Sequence, residues 1–146
     1  MKDKSKLAMK NCKRKKGNQA ELWVQKFLEK QGWIIHRARQ SYYQVGKKVF
    51  TRSNDIFNCF DIIAKKSNAC TRWIQVAVGY KKSHKLKKFK QIVPKIVGCG
   101  DVFELWLKTK SSEWKIYEFN LKKNDFVEIG KIERGKFYAR QLERTS

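Results

Sequence analysis

The stretch FDIIAKKSNACTRWIQVA, residues 60–77, decides the fold that we predict for this chain. Two short apolar runs, 60–64 and 72–78, flank a polar segment whose composition predicts a turn. Short, nearly continuous apolar runs are typical of central strands that are buried on both faces. Asp61 opens the first run, and an ionised carboxylate among apolar neighbours is costly unless something compensates its charge. The stretch therefore predicts two central strands with a functional carboxylate at one end.

Upstream of this stretch, the pattern predicts a helix, a strand and a polar loop. Apolar residues recur at helical spacing over 17–31, with Asn18 as an N-cap and Gly32 as a stop. Residues 33–36 predict a strand, and the polar segment 39–53, with its aromatic interruptions, predicts a loop or hairpin.

Downstream, residues 83–97 are basic on one side and apolar on the other, which predicts a second helix that Pro94 bends or ends. Alternation over 102–108 and 114–119 predicts two strands, and the tail from 120 onward predicts a further hairpin or short β segment. The order of helix, three strands, helix and two strands predicts an α/β fold with a mixed central sheet flanked by helices.

We divide the chain into three segments. Residues 1–16 are lysine-rich and predict a mobile basic arm, 17–120 form the main domain, and 121–146 form a C-terminal β extension of the same domain. At 146 residues the chain is long enough for one core without staples. The four cysteines form no C-x-x-C pair, which favours reduced, mostly buried thiols over a zinc site or a disulfide framework.

The net charge of +22 indicates a polyanionic partner. DNA is favoured over an anionic membrane, because no apolar run reaches the length of a spanning helix and the basic segments lack a wide apolar face. The start of the chain has no apolar signal-peptide region, so we expect an intracellular protein, cytoplasmic or associated with the nucleoid.

Neighbouring strands suggest a metal site for phosphodiester hydrolysis. Mg²⁺ prefers oxygen ligands, and Asp61 on one strand and Gln75 on the next are suited to supply them, with the Val76 carbonyl as an additional ligand. Mn²⁺ is expected to substitute. The alternative is that Gln75 forms an ordinary hydrogen bond in the core. Asp55 is either an extra ligand or a turn residue that caps its own backbone.

Four segments resemble the archaeal Holliday-junction resolvases of the PD-(D/E)XK nuclease superfamily. They are KGNQAELWVQKFLEKQGW (16–33), FDIIA (60–64), WIQVAVGYKKSHKL (73–86) and SSEWKIYEFN (111–120). The resemblance implies a restriction-endonuclease-like core, Mg²⁺-dependent cleavage of branched DNA and a two-fold dimer. It also implies that Glu21, Asp61 and Gln75 are metal-site residues, although Glu21 in a capping box is the alternative. The family usually has Glu where this chain has Gln75, and Lys where it has Ala77.

Three explanations of Ala77 stay open. The chain is an engineered inactive variant, or Lys81 or Lys82 has taken over the role of the lysine, or the chain is a natural DNA-binding protein without catalysis.

Basic residues follow the second motif strand directly, so they would flank DNA held at the metal. Phosphate contacts of this kind position DNA without reading bases, which favours recognition of DNA structure over sequence. A loop with two tyrosines and three basic residues is a candidate to enter a junction or groove: Tyr42, Tyr43, Lys47, Lys48 and Arg52. The predicted DNA contacts are Lys15, Lys16, Arg52, Lys81, Lys82, His84, Lys85, Lys87 and Lys88.

The sequence therefore predicts a structure-specific endodeoxyribonuclease similar to the junction resolvases, impaired in this copy by Ala77. A homing or restriction-type endonuclease, or a nickase, on the same fold is one alternative. A non-catalytic DNA-binding protein is the other.

Overall fold

The computed structural model describes residues 2–39, 41–52, 54–79, 81–110 and 112–139, without the side chains of 2–15, 41, 51 and 52. Within these residues the chain forms a mixed α/β structure with two helices. The elements are α1 (Lys2–Glu29), β1 (Ile34–Arg37), β2 (Ser41–Val45), β3 (Lys48–Arg52), β4 (Ile62–Lys65), β5 (Thr71–Val78), α2 (Lys82–Ile96), β6 (Asp101–Lys110), β7 (Glu113–Asn120), β8 (Asp125–Glu133) and β9 (Lys136–Ala139).

Seven strands form one sheet in the order β1-β4-β5-β6-β7-β8-β9. Strands β5 and β6 pair in parallel, while the other neighbours pair antiparallel. Parallel neighbours need a long crossover connection, and α2 supplies it between β5 and β6. The mixed central sheet that the sequence predicts is confirmed. Strands β2 and β3 form a separate two-stranded sheet, which confirms the predicted hairpin.

Each face of the large sheet has its own apolar core. On one face, Ala20, Val24 and Leu28 of α1 pack with Ile62 and Ile74 of β4 and β5. On the other face, Phe89 and Val93 of α2 pack with residues such as Phe103 and Leu105 of β6. Helices on both faces explain why β4 and β5 read as nearly continuous apolar runs. Neither helix in the described part of the chain is long and apolar enough to cross a membrane.

Helix α1 begins far earlier than the sequence predicts. The predicted start at residue 17, with Asn18 as N-cap, is wrong, because residues 2–29 form one continuous helix. The segment 1–16 was predicted as a mobile arm, yet residues 2–16 are helical in the structure. Lysine, leucine, alanine and methionine all have high helix propensity, and together they outweigh the cost of about 1 kcal/mol for Gly17. Residue 1 lies outside the described residues.

The second helix and the C-terminal strands agree with the sequence. Helix α2 contains Pro94 and ends two residues later, as predicted. Strands β8 and β9 form a hairpin, as the pattern of the tail predicts, while 140–146 lie outside the described residues. A dimer interface or the core of one chain could bury the late aromatic residues, and here they lie in the core. They are buried within the chain itself: Trp106, Trp114, Tyr117 and Phe119.

Candidate functional site

Asp61 lies where the chain of β4 separates from β5. The pairing of the two strands reaches Ile62 and Ile74, and the Asp61 N–H donates to the Ile74 carbonyl at 2.9 Å. Before Asp61 the backbone turns away, since Phe60 exchanges hydrogen bonds with Ile56 at 2.7 and 2.9 Å. Beyond this point the Asp61 side chain takes over the pairing with β5, because its Oδ2 accepts a hydrogen bond from the Val76 N–H at 2.8 Å.

The Val76 carbonyl faces the same gap. The N–H and C=O of one strand residue point to the same side of the strand, as the paired bonds of antiparallel sheets require. Because the Val76 N–H reaches the Asp61 carboxylate, the Val76 carbonyl oxygen also lies on this side of β5. The end of β5 therefore presents a backbone oxygen beside a buried carboxylate.

Three carboxylates surround one cavity of about 460 Å³ at this point. Glu21 comes from α1, Asp55 from the loop before β4, and Asp61 from the gap itself. Asp61 is 6% exposed. Burial, together with the charges of Glu21 and Asp55, raises the pKa of Asp61 well above its ordinary value, against the opposing effect of the Val76 hydrogen bond. The structure thus brings together three of the predicted acids.

The pKa of the Glu21 carboxyl is also raised. Glu21 lies next to Ala20, which is buried against the sheet, and it lines the cavity. Burial raises the pKa of Glu21 to about 6, and Asp55 adds to the increase, while the guanidinium of Arg37 opposes it. The capping-box role is excluded by the continuous helix, because Asn18 and Glu21 lie in its interior.

Gln75 approaches from a different direction. The pairing of β4 with β5 ends at Ile62 and Ile74, and Gln75 is the next residue of β5. Strand alternation places its side chain on the face of Trp73 and Ala77, opposite to the face that packs on α1. Gln75 is buried, and its Oε1 has no hydrogen-bond partner among the described residues. A buried acceptor without a partner is rare, so this oxygen needs a ligand or water.

Ala77 lines a second cavity, of about 500 Å³, together with Lys16 and Lys85. Ala77 is itself 4% exposed and belongs to the core on the α2 side. Lys16 comes from α1, and Lys85, which is half-buried, comes from the first turns of α2. Two ammonium groups therefore lie around the position at which the motif would have its lysine.

The other predicted DNA contacts are spread over the surface near α2. Lys16, Lys81, Lys82, His84, Lys87 and Lys88 are exposed. The Nζ of Lys82 lies 5.4 Å from the centre of the Tyr117 ring. Burial raises the pKa of the Cys59 thiol to about 12, and the charges of Lys88 and Lys85 oppose this increase. The side chains of Lys15 and Arg52 lie outside the described part of the chain.

Three residues that sequence reasoning missed line these cavities. Arg37, at the end of β1, lines the carboxylate cavity, and its Nη1 is buried without a hydrogen-bond partner among the described residues. Asn54 lines the same cavity, and Lys108 lines a further cavity beside Lys16. The available signal for Arg37 was a basic residue two positions after the apolar run 33–35.

The donor chemistry of the site fits a hard cation, although its carboxylates are not gathered into a ready ligand shell. Carboxylate, amide and carbonyl oxygens are the ligands that Mg²⁺ prefers. A cation in the cavity would relieve the mutual repulsion of the acids, whereas Gln75 is not among the residues that line this cavity. The described residues nevertheless contain no group of three His, Cys, Asp or Glu side chains placed to hold a metal.

No family model, no curated protein and no solved structure matches this chain.

Proposed function

We propose that this chain is a Mg²⁺-dependent endonuclease of the PD-(D/E)XK type that acts on branched DNA. One observation carries the proposal: Asp61 is buried beside Glu21 and Asp55 at the point where β4 leaves β5. Structural acids are normally buried with a cationic partner, whereas acids that face other acids are typical of functional sites. A chain with a net charge of +22 supplies the attraction for a polyanionic substrate.

The order of the elements supports the same proposal. We assign a restriction-endonuclease-like core to α1, β1, β4, β5, α2 and β6, with the β2–β3 hairpin inserted between its first two strands. In this assignment α1 contributes Glu21, and β4 and β5 contribute Asp61 and Gln75. The assignment explains why acids that are far apart in sequence share one cavity.

Asp61, Gln75 and the Val76 carbonyl would hold the metal, with Glu21 and Asp55 completing its surroundings. A bound Mg²⁺ polarises the scissile phosphate and lowers the pKa of an attacking water. Asp61 and Glu21 must lose their protons to bind the cation, since ligands must be deprotonated. The raised pKa values of Asp61 and Glu21 make this step depend on pH.

The missing lysine has a candidate substitute in Lys85. The sequence suggests Lys81 or Lys82 for this role, but Lys82 lies over Tyr117, whereas Lys85 lines the cavity that contains Ala77. In our proposal Lys85 and Lys16 contact the phosphate that flanks the metal. The remaining exposed basic residues of α2, Lys87 and Lys88 among them, position the rest of the DNA backbone.

The test compares cleavage by the chain, Ala77→Lys and Lys85→Ala with Mg²⁺ or Mn²⁺. If the chain is an inactivated nuclease, Ala77→Lys raises the cleavage rate by about 100-fold or more, the scale of one positioned catalytic group. If Lys85 has taken over the role, the chain already cleaves and Lys85→Ala abolishes it. Asp61→Asn within Ala77→Lys is the control, and it must remain inactive.

Comparing a four-way junction with a linear duplex separates the resolvase-like function from a homing or restriction-type nuclease or a nickase. Preferential, symmetric cleavage of the junction by a dimer supports the resolvase-like function. Sedimentation with junction DNA measures whether the chain binds as a dimer. Equal cleavage of both substrates would favour the others.

A DNA-binding protein without catalysis is the second candidate function. Ala77 and the absence of a ready three-ligand group among the described residues favour it. No cleavage and no divalent-metal binding by Ala77→Lys, with DNA binding retained, would support this candidate and reject the nuclease.

A further inference from the structure

The β2–β3 hairpin exposes aromatic and aliphatic side chains on both of its faces. Register and alternation place Tyr43, Val45 and Phe50 on one face, and Tyr42 and Val49 on the other. These side chains are 41–70% exposed. An isolated two-stranded hairpin is at best marginally stable in water, so large apolar groups on both faces suggest a binding role.

Aromatic rings are exposed on both faces of the hairpin. The rings of Tyr43 and Phe50 stack with centres 5.4 Å apart and planes inclined by 18°, which forms a flat apolar platform. Tyr42, on the opposite face, is 70% exposed. Flat aromatic surfaces of this kind bind nucleic-acid bases by stacking, because every base has a π-face.

The hairpin is also joined to the candidate site. Tyr42 lines the same cavity as Glu21, Asp55 and Asp61. At the other end, the turn at Gly46 carries Lys47 and Lys48, both exposed. A nucleotide whose base stacks on Tyr42 would thus have its phosphate near the carboxylate cavity, while the turn contributes two positive charges to the neighbouring backbone.

We propose that the β2–β3 hairpin is a wedge that stacks on unpaired DNA bases next to the carboxylate cavity, so that the chain selects DNA with locally separated strands. The inference deepens the proposed function and rests on it for the position of the scissile phosphate. In fully paired DNA the bases are stacked on one another and offer the rings no free face. Branch points, flaps and bulges offer such faces, and the hairpin supplies the preference for structure.

The experiment measures DNA affinity of the full chain in EDTA, so that neither metal nor cleavage is involved. The probes are a duplex with a short bulge that carries 2-aminopurine and the same duplex without the bulge. We expect Tyr42→Ala to weaken binding of the bulged probe by about 5- to 150-fold, the effect of losing one stacked base. Quenching of 2-aminopurine fluorescence is lost with it, and affinity for the paired duplex is unchanged.

Matched variants keep the test sharp. Tyr42→Trp retains the stacking surface and should bind the bulged probe at least as well as the unsubstituted chain. Tyr138→Ala removes another exposed ring, 48% exposed, from the β8–β9 hairpin and should change neither affinity. Because the side chain of Tyr42 is exposed, we expect its removal to leave the unfolding temperature unchanged.

Equal weakening of both probes by Tyr42→Ala would overturn the proposal, since it would indicate a general contact with the backbone. No effect on either probe would also overturn it. If Tyr43→Ala with Phe50→Ala abolishes self-association and leaves bulge binding intact, the hairpin is an interface between copies of the chain and the wedge is rejected. Failure of the nuclease proposal would appear separately, as absence of metal-dependent cleavage in Ala77→Lys.

Discussion

Two buried acids on the large sheet, Glu104 and Asp61, have opposite surroundings. Glu104 is 1% exposed and receives two hydrogen bonds of 2.6 Å from Arg72 and a third from Trp106 Nε1 at 3.1 Å. Asp61 is 6% exposed and receives one from a backbone N–H, while two further acids face it. Glu104 has its compensating charge in Arg72, whereas Asp61 has no ion pair with any of the described residues.

The difference teaches which buried charge belongs to the fold and which to a function. The Arg72 guanidinium also lies 5.0 Å from the centre of the Trp33 ring, so the pair on β5 and β6 is enclosed by the core. Nothing in that arrangement calls for a ligand. At Asp61 the fold keeps a costly arrangement of acids, which a proton or a cation from outside can relieve.

Breaking the Arg72–Glu104 pair is expected to give the largest change in stability. Arg72→Met leaves the Glu104 carboxylate buried without its partner, and we expect a loss of about 3–5 kcal/mol in the free energy of unfolding. Urea unfolding at neutral pH measures it.

The double variant Arg72→Met with Glu104→Leu should recover much of that loss, because a buried ion pair can be replaced by apolar groups of similar volume. A loss below about 1 kcal/mol for Arg72→Met would contradict the account, since that is the range of exposed pairs.

Asp61→Asn is expected to act in the opposite direction and to stabilise the chain. The pKa of Asp61 is raised in the folded state, so the folded chain loses stability as pH rises from the ordinary range of an aspartate to that raised pKa. Removing the charge should therefore add about 1–3 kcal/mol above neutral pH, and the gain should shrink as pH falls. Urea unfolding across a pH series measures the difference between the variant and the unsubstituted chain. If Asp61→Asn were the less stable of the two at alkaline pH, Asp61 would be a structural acid.

Glu21→Gln should give the same trend with a smaller size. The pKa of Glu21 is raised from 4.5 to about 6, so the stability contributed by its protonated form is lost as pH rises between those values. Because Glu21 is partly open to solvent, which screens its charge, we expect a gain of about 1 kcal/mol at pH 7.

Glu29→Gln, an exposed acid on the same helix, is the matched control for Glu21→Gln. An equal gain in the control would mean that the effect comes from net charge and not from the carboxylate cavity.

The sequence predicts the sheet and the acids better than it predicts their mutual geometry. Local composition predicts the buried strands and Asp61, and the alternation around Gln75 locates the second motif strand. The start of α1 was missed because Asn18 favours an N-cap, whereas in the structure the helix-forming residues before it outweigh that preference and it lies inside the helix.

The cavities depend on contacts between distant segments, which no local pattern records. Lys85 lies beside Ala77 because α2 crosses over the sheet, and Arg37 faces Glu21 because β1 pairs with β4 next to α1. Whether the late aromatic residues were core or interface was likewise decided by packing, since burial within one chain and burial between two chains select the same residue types.

The central claim is that Asp61 and its neighbouring oxygens bind one divalent cation, and calorimetric titration with Mn²⁺ near pH 6 tests it most directly. We expect binding to the unsubstituted chain and to Glu29→Gln, with protons released because the ligands must deprotonate. In Asp61→Asn, which the unfolding measurements must show to be folded, binding should be abolished. Equal binding by all three proteins, or no binding by the unsubstituted chain, would contradict the account.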